Sequence, residues 1–353
     1  MFLLMLASAQ AAEVTEIPPW LRADLHLGYG FDMGRSSLRE TYAGEDVVVA
    51  NQRDEAHRMD FGAAFSVGPM IAAYFEMPTW FVQRSTWSEV NKMAYDPNRE
   101  LGSMAYGSPL GSEVQISGSG AGGVWLGLRG TPFSESLYPR RNNRSTWLID
   151  VGYRTPDKTS IYVVDGDSRG AGPGAQAFRV ASAFSTSVGQ TEPYLKGQFV
   201  ASGRQVVQLT DSTGAVTSSE ANIRPGNTLD VLAGVEVHAY HNDQTQADFA
   251  FDFRLGYGYL SGREVPSGLF LPSVLRSTEG SLVNAEETSW ISGGLGMKWR
   301  MFQYARLSVG ADVAYTMPYR IEHPYPVTTG SDNIRVTGGA ELTFFVRTPN
   351  KIE

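Results

Sequence analysis

The chain has 353 residues, of which 42% are hydrophobic and 19% charged, and its formal net charge at pH 7 is -8. That length is enough for one large domain. The acidic balance argues against a nucleic-acid partner, which would require a basic surface. The absence of cysteine excludes disulfides, thiolate metal sites and a cysteine nucleophile.

The first twelve residues resemble a secretory signal peptide. Residues 1–12 form an apolar run that ends in small residues, including Ala9-Gln10-Ala11, before the first acid at Glu13. The basic residues that usually precede such a run are missing, so we expect the true start of the signal to lie upstream. No later stretch approaches the roughly 18 uninterrupted apolar residues of a membrane-spanning helix. An exported chain without such a helix is periplasmic, secreted or a barrel.

The segment 20–32 predicts the first β-strand, because apolar and polar residues alternate along it. A strand in the wall of a membrane barrel turns its apolar face to lipid and its polar face inward. The residues expected to point outward are Leu21, Ala23, Leu25, Leu27, Tyr29 and Phe31. The residues expected to point inward are Arg22, Asp24, His26, Gly28, Gly30 and Asp32.

Further segments continue this pattern along the chain, each about ten residues long, which is the length a tilted strand needs to cross the hydrocarbon. The segment 247–259 alternates as cleanly as the first, and a helix there would scatter Asp248, Asp252 and Arg254 among bulky aromatic residues. The predicted strands after the first are 58–67, 70–77, 123–132, 146–155, 176–187, 193–202, 228–240, 247–259, 288–299, 304–315 and 333–346.

The connections between these segments indicate the topology, because membrane barrels have long outer loops and short periplasmic turns. Long connections, rich in Gly, Ser, Asp, Asn or Pro, follow the odd-numbered strands at 34–57, 78–122, 156–175, 203–227, 261–287 and 317–332. Short ones follow even-numbered strands at 68–69, 189–192, 241–245 and 300–303, and 133–145 is of intermediate length. The sequence therefore predicts an all-β fold, a closed up-and-down antiparallel transmembrane β-barrel of about 12 strands with both termini in the periplasm.

This topology divides the chain into four segments. They are a signal peptide (1–12), a periplasmic N-terminal segment (13–19), the transmembrane barrel (20–346) and a periplasmic C-terminal tail (347–353).

Aromatic residues cluster near the predicted strand ends, as expected for girdles at the two membrane interfaces. Those near the outer ends are Tyr29, Tyr153, Tyr257, Tyr259 and Tyr315. Those near the periplasmic ends are Trp147, Trp299 and Phe344. A general preference of aromatic residues for strands would explain their presence but not their clustering.

In these features the chain resembles the porin-like barrels of the bacterial outer membrane as a class, over roughly Leu21 to Val346. The last strand resembles the assembly signal of that class, here Thr337, Gly339, Leu342 and Phe344. Members of the class usually stop at the terminal aromatic residue, whereas this chain continues to Glu353. The resemblance implies outer-membrane lipids and lipopolysaccharide as surroundings and the barrel-assembly machinery as a partner. The chain resembles no particular subfamily, so no residue roles are carried over.

The predicted inner face carries charges of both signs, which a lipid-facing position would not tolerate. The candidate lumen-lining residues are Arg22, Asp24, His26, Arg58, Asp60, Glu76, Arg129, Asp150, Arg154, Arg179, Lys196, Asp230, Glu236, His238, Asp248, Asp252, Arg254, Lys298, Arg306, Asp312, Arg335 and Glu341. Charges segregated on opposite walls would make a permeation path, whereas charges paired between neighbouring strands would make a salt-bridged plug. Many inward positions are glycine, which either leaves room in the lumen or serves strand curvature and close packing.

The sequence offers no convincing catalytic, cofactor or metal site. Of the five histidines, His26 and His238 would face inward, and Asp248 and Asp252 could neighbour His238 across a hairpin. A structural hydrogen-bond network is the better interpretation of that pairing. The cluster Asp165-Gly166-Asp167-Ser168 lacks the full spacing of a calcium loop, and a solvated turn is the better interpretation.

Two functional hypotheses follow, with an outer-membrane enzyme as a third. The first is a passive channel that passes small polar solutes through a mixed-charge lumen. The second is a plugged barrel that acts as an anchor or partner in an envelope protein assembly. It is motivated by the long outer loops, notably 78–122 with Trp80, Phe81, Trp87 and Tyr95.

Overall fold

The computed structural model describes residues 22–42, 45–89, 113–133, 145–156, 164–165, 168–169, 171–172, 174–210, 216–242, 244–245, 247–266, 282–302, 304–322 and 328–347. Within these ranges the regular structure consists of β-strands. No helix in them is both long enough and apolar enough to cross a membrane.

The described residues contain twenty strands. In order they are β1 (Arg22–Tyr42), β2 (Glu45–Gly68), β3 (Ile71–Glu89), β4 (Glu113–Ala121), β5 (Trp125–Phe133), β6 (Ser145–Arg154), β7 (Val164–Asp165), β8 (Ser168–Arg169), β9 (Ala177–Thr186), β10 (Thr191–Ser202), β11 (Gln205–Thr210), β12 (Val216–Ile223), β13 (Thr228–Asn242), β14 (Ala247–Leu260), β15 (Arg263–Pro266), β16 (Leu282–Ala285), β17 (Thr288–Phe302), β18 (Ala305–Thr316), β19 (Tyr319–Glu322) and β20 (Thr328–Arg347).

Twelve of these strands form a closed barrel with antiparallel neighbours, in the order β1, β2, β3, β5, β6, β9, β10, β13, β14, β17, β18 and β20. The barrel closes where β1 pairs with β20, from Arg22 opposite Arg347 to Glu40 opposite Thr328. Each predicted strand falls on one of these twelve, so the predicted fold class is confirmed.

The two ends of the barrel differ in their connections. At the end we call the turn end, short connections join β2 to β3, β9 to β10, β13 to β14 and β17 to β18. Strand β1 begins and β20 ends there as well. At the opposite end, the loop end, only residues 43–44 separate β1 from β2, whereas the other five connections are long and contain the eight remaining strands.

The outer face of the barrel is apolar, since alternate residues of the strands leave their side chains exposed there. Leu255 of β14 is 71% exposed although it lies in the middle of its strand. Other exposed apolar residues on the barrel strands include Leu25, Leu27, Tyr29, Phe61, Phe65, Ile71, Phe75, Leu126, Leu128, Val151, Phe178, Val180, Phe184, Leu195, Phe199, Leu229, Val231, Phe251, Phe253, Tyr257, Ile291, Leu295, Met297, Trp299, Val309, Val313, Tyr315, Ile334, Val336, Phe344 and Val346. This band is what a hydrocarbon environment requires.

Two of the predicted outer loops contain long stretches of strand, which corrects the prediction for 34–57 and 78–122. Strands β1 and β2 stay paired as far as Tyr42 opposite Glu45, and β3 continues to Glu89 against β4. In the β1–β2 extension the outward residues are polar, as at Arg35, Asn51 and Arg53, which are all exposed. The lipid-facing pattern therefore stops before the strands do, because backbone pairing does not require apolar side chains.

Candidate functional site

The barrel interior is the candidate site, because the charged residues of the barrel strands lie on its inner face. On β14, Phe251 and Phe253 are exposed on the outside, whereas Asp252 and Arg254 between and beside them are buried. The strand alternation therefore brings charges from different strands together inside the barrel.

Four charged side chains on four adjacent strands form what we call the four-charge cluster: Glu76, Arg129, Asp150 and Arg179. The guanidinium of Arg129 donates to Glu76 at 2.8 Å and to Asp150 at 2.7 Å. Arg179 approaches the same two acids, Glu76 at 3.5 Å and Asp150 at 3.4 Å. Each carboxylate is thus shared by two arginines, and the cluster is electrically balanced.

Tyr74 holds this cluster to the wall. Its hydroxyl donates to Asp150 at 2.9 Å and accepts from Arg179 at 2.7 Å. The guanidinium of Arg129 lies 4.2 Å from the centre of the Tyr74 ring, and that of Arg179 lies 4.6 Å from the Trp125 ring. The arginines therefore lie flat over aromatic rings, an arrangement that attracts the cation to the ring face.

A second cluster surrounds Arg254 on the other side of the lumen. Arg254 donates to Asp252 at 2.9 Å and through its Nε to Asp312 at 2.6 Å. The Tyr194 hydroxyl donates to Asp252 at 2.8 Å. All four side chains are buried, and such pairs are costly to break because a lone charge would remain.

Several inward glycines lie beneath these large side chains. A Cβ at Gly127 would lie 2.3 Å from the Tyr74 hydroxyl oxygen, and one at Gly258 would lie 1.9 Å from the Trp290 ring. At Gly294 it would lie 1.9 Å from a carboxylate oxygen of Asp312. At these positions glycine serves close packing, which was one of the two interpretations that the sequence left open.

Acidic and basic groups also meet near the turn end. Lys298 donates to both oxygens of Glu236 at 2.8 and 2.9 Å. The Nδ1 atom of His238 lies 3.0 Å from Asp248, and its Nε2 atom lies 3.8 Å from Glu192. The expected contact between His238 and Asp248 is therefore present, whereas Asp252, the other expected neighbour, is held by Arg254.

Glu192, Glu236 and His238 offer ligand atoms within 4.8 Å of one another, which is the type of cluster that can hold a divalent cation. Both oxygens of Glu236 already accept hydrogen bonds from Lys298. The ammonium neutralises that carboxylate, so we assign no metal to this cluster.

The inward ring of Phe345 lies at the turn end among three arginines. The guanidinium carbons of Arg22, Arg300 and Arg306 lie 3.8, 5.1 and 5.5 Å from its centre. Arg22 also pairs with Asp24. Cation–ring contacts therefore fix several basic side chains at this mouth of the lumen.

The remaining candidate residues occupy separate places on the inner face. Further ion pairs join His26 to Glu341, Arg58 to Asp60 and Arg335 to Asp32. Arg154 lies over Trp125 and donates to the Ala175 carbonyl. Lys196 and Asp230 lie on β10 and β13. In the candidate assembly signal, Phe344 is exposed, Thr337 is buried, and Gly339 and Leu342 are half-buried.

Part of a loop folds against the inner wall at the loop end. The Gly172 amide donates to the Gln83 side chain at 2.8 Å, and Ala171 and Ala175 are buried. A Cβ at Gly172 would lie 3.0 Å from the Trp80 ring. Trp80 was expected in an outer loop but lies on β3 with its ring buried, because that strand continues beyond the predicted boundary.

Other aromatic residues are buried at the loop end. Trp290 packs with Leu260 and Ala314, and burial raises the pKa of the Tyr319 hydroxyl above its ordinary value. Phe81, which was expected in the same outer loop as Trp80, also lies on β3 and is exposed.

Three residues of the expected calcium and loop clusters cannot be placed. Gly166 and Asp167 of the Asp165–Ser168 cluster, and Tyr95 of the aromatic loop, lie outside the described residues.

Solved structures of similar fold identify the architecture. No protein-family model and no curated protein matches the sequence. The structure is similar to an outer-membrane channel of Pseudomonas putida F1, with 10% identity, a TM-score of 0.50 and coverage of 94% of this chain and 98% of that one. A FadL homologue of Pseudomonas aeruginosa has 9% identity and a TM-score of 0.41, with coverage of 92% and 90%. The outer-membrane protease OmpT of Escherichia coli has 9% identity and a TM-score of 0.36, with coverage of 95% and 100%.

The fold is that of bacterial outer-membrane β-barrels. At these identities the similarity establishes the fold and not the activity. The groups that bear on the function of this β-barrel are those of its own interior.

Sequence reasoning missed the inward aromatic residues of the barrel. Tyr74, Tyr194 and Phe345 were not among the candidate residues, because aromatic residues were assigned to the lipid face or to the girdles. Strand parity would have found them. Tyr74 is two residues from Glu76 and Tyr194 two residues from Lys196, so each shares the inner face with a charged candidate.

Proposed function

We propose that this protein is an outer-membrane channel that passes small polar solutes through a lumen lined by charges of both signs. The observation that carries the proposal is the direction of the charged contacts. The ion pairs described above that join different barrel strands join strands no more than three positions apart around the barrel. These pairs therefore follow the wall and do not bridge the lumen.

The width of the barrel supports this proposal. Twelve strands, about 4.8 Å apart and tilted by about 40°, enclose a backbone cylinder roughly 24 Å across. An extended arginine reaches only about 7 Å from its Cα atom, so an arginine and a carboxylate on opposite walls cannot meet. Paired charges alone consequently do not plug a barrel of this width, although pairing was the arrangement that the sequence analysis associated with a plug.

Two members of the four-charge cluster keep the solvent contact that a solute path needs. The side chains of Glu76 and Arg129 are 22% and 20% exposed, although both make short ion pairs, whereas Asp150 is buried. Polar atoms that keep solvent contact on an inner wall can exchange water for a passing solute.

The apolar band supports a location in the bacterial outer membrane, which is where proteins of this fold reside. We place the turn end, and with it both ends of the barrel sequence, in the periplasm, because short turns face that side in such barrels. The assembly machinery of the envelope and the lipids around the band are the partners that this location implies.

Conductance in a planar lipid bilayer tests the proposal. Purified, folded protein should produce discrete current steps in potassium chloride solution, because the lumen is polar and water-filled. A heat-denatured sample of the same preparation is the control and should produce none. A folded barrel that inserts into the bilayer and never conducts would contradict the proposal.

A second candidate is the plugged barrel that acts as an anchor or partner in an envelope assembly. The packing of Gly172 against Gln83 and Trp80 favours it, because this segment lies against the inner wall at the loop end. Replacing residues 90–112 by a short linker should then remove a co-purifying envelope protein. A barrel that is isolated in native membrane extracts, with or without that segment, would contradict this second function.

The pairing of His238 with Asp248 gives no comparable support for an enzyme. The described contacts of His238 are with the carboxylates of Asp248 and Glu192, and none is with a hydroxyl group.

A further inference from the structure

Lys196 and Asp230 differ from the other charged residues on the inner face. Among the described inward charges of the barrel strands, they are the two for which the structure gives no hydrogen bond, ion pair or ring contact. Both are half-buried, so both keep some access to the lumen. The other inward charges contact partners within the protein, so these two side chains are available to contact water or a solute.

The two residues are close to each other on adjacent antiparallel strands. Gln198 lies opposite Asp230 and Lys196 lies opposite Leu232, so the two charges are diagonal neighbours on the same face. Diagonal positions of this kind have Cβ atoms roughly 7–8 Å apart. The charge of Lys196 also acts on the Asp230 carboxylate.

The four-charge cluster explains why Lys196 has no acidic partner on the side away from Asp230. Its ammonium lies within electrostatic reach of Glu76 and Asp150. Both carboxylates are already shared by Arg129 and Arg179 at 2.7 to 3.5 Å. The same two arginines repel the ammonium, so the cluster holds Lys196 away from its own carboxylates.

A charge on the inner wall without a protein partner must be stabilised by water or by a solute, because a dry unpaired charge is costly. We propose that Lys196 and Asp230 form the solute-contacting pair of the lumen and that they favour small zwitterions of the amino-acid type. The carboxylate of the solute contacts Lys196 and its ammonium contacts Asp230. This inference rests on the channel function proposed above.

Swelling of liposomes that contain the protein tests the preference, with two isomeric probes of equal size. β-Alanine is a zwitterion and lactamide is its uncharged isomer. In wild-type liposomes β-alanine should enter about threefold faster than lactamide, in keeping with the modest strength of solvated ion pairs. Lys196→Gln and Asp230→Asn should each bring the ratio of the two rates close to one while lactamide entry is retained.

Two controls separate this pairing from a general effect on the lumen. Gln198→Ala removes a neutral inward group from the same level and should leave the ratio at its wild-type value. The double variant Lys196→Asp with Asp230→Lys keeps both charges and should also keep the preference. Folding of each variant is checked by its heat-modifiable migration in electrophoresis.

The outcomes distinguish a failure of the zwitterion preference from a failure of the channel function. If neither probe enters wild-type liposomes, the channel function fails. If both enter wild-type liposomes at equal rates, or if the single variants keep the wild-type ratio, the channel function stands and the zwitterion preference is overturned.

Discussion

Glycine and aromatic residues share the inner wall in complementary positions. Tyr74 lies over Gly127 and Gly152, and Trp290 lies over Gly258. A ring that lies along the wall takes up less of the lumen than one that points to its axis. The glycines beneath thus allow a barrel of limited width to contain large inward side chains along its wall.

Replacing Gly127 by alanine should destabilise the barrel by about 1–3 kcal/mol, the cost of overpacking. The new Cβ would lie 2.3 Å from the Tyr74 hydroxyl oxygen and 2.5 Å from the Val151 carbonyl oxygen, which is fixed in the sheet. Urea unfolding of the protein refolded in lipid vesicles measures the change.

Gly28→Ala is the matched control on the same face, since its Cβ would meet Asp60 at an ordinary 3.5 Å. It should cost about 1 kcal/mol or less. Equal costs at the two glycines would contradict the packing role of Gly127.

At this scale the sequence predicts which face a residue occupies but not which partner it meets. Asp252 and Arg254 could be assigned inward from alternation alone. That Asp252 contacts Tyr194 and Arg254 rather than His238 depends on the stagger between strands, which alternation does not specify. The same limit applies to the unpaired positions of Lys196 and Asp230.

The outward residues of the barrel strands are apolar along one part of the strand and polar along another. On β14 the outward residues are apolar throughout the middle of the strand, with Leu255 the most exposed of them. On β2 the outward residues become polar at His57, Asn51 and Arg53, although the strand continues. The change from apolar to polar residues marks where the strand leaves the lipid.

Leu255→Arg should therefore destabilise the barrel by roughly 2–4 kcal/mol in a lipid bilayer, the cost of an arginine near the midplane. Unfolding in vesicles is the measurement. Asn51→Arg places the same side chain on an outward position beyond the apolar band and should change stability by about 1 kcal/mol or less. A tolerated arginine at position 255 would show that this face does not meet hydrocarbon.

The segment around Gly172, which packs on Trp80 and Gln83, allows a prediction about conductance. Gln83→Ala removes the acceptor of the Gly172 amide, so the segment should be released from the wall and the single-channel conductance should rise. Arg84→Ala alters the neighbouring exposed residue on the outer side of β3 and should leave the conductance unchanged. A conductance that is the same in both variants would show that this segment does not restrict the path.

Element boundaries were the least predictable part of the fold. The positions of all twelve barrel strands follow from alternation, because lipid and lumen impose opposite polarity on successive residues. The extensions of β1, β2 and β3 could not be found in this way, since both of their faces meet polar surroundings. The loop-end strands β15, β16 and β19 are short and were hidden for the same reason.

The molecule as a whole depends on the pairing of its first and last barrel strands. Phe344 of β20 is exposed on the outer face and lies opposite Leu25 of β1. If the terminal strand carries the assembly signal that its sequence resembles, Phe344→Ala should lower the amount of assembled barrel in the outer membrane several-fold. Phe178→Ala removes another exposed phenylalanine, from β9, and should not lower that amount.

Heat-modifiable electrophoresis of isolated outer membranes measures the assembled fraction. Equal losses in the two variants would show that the terminal strand has no special part in assembly and that any outward phenylalanine contributes in the same way.

The contact between β1 and β20 also determines when the cylinder can be completed. Arg22 and Arg347 stand opposite each other although almost the entire polypeptide separates them. Until the last strand has been synthesised, the backbone N–H and C=O groups on one edge of β1 lack their permanent partners, and such an edge invites association with other chains. Since contacts between distant parts of a chain form slowly, the unfinished protein needs protection from such association until β20 is in place.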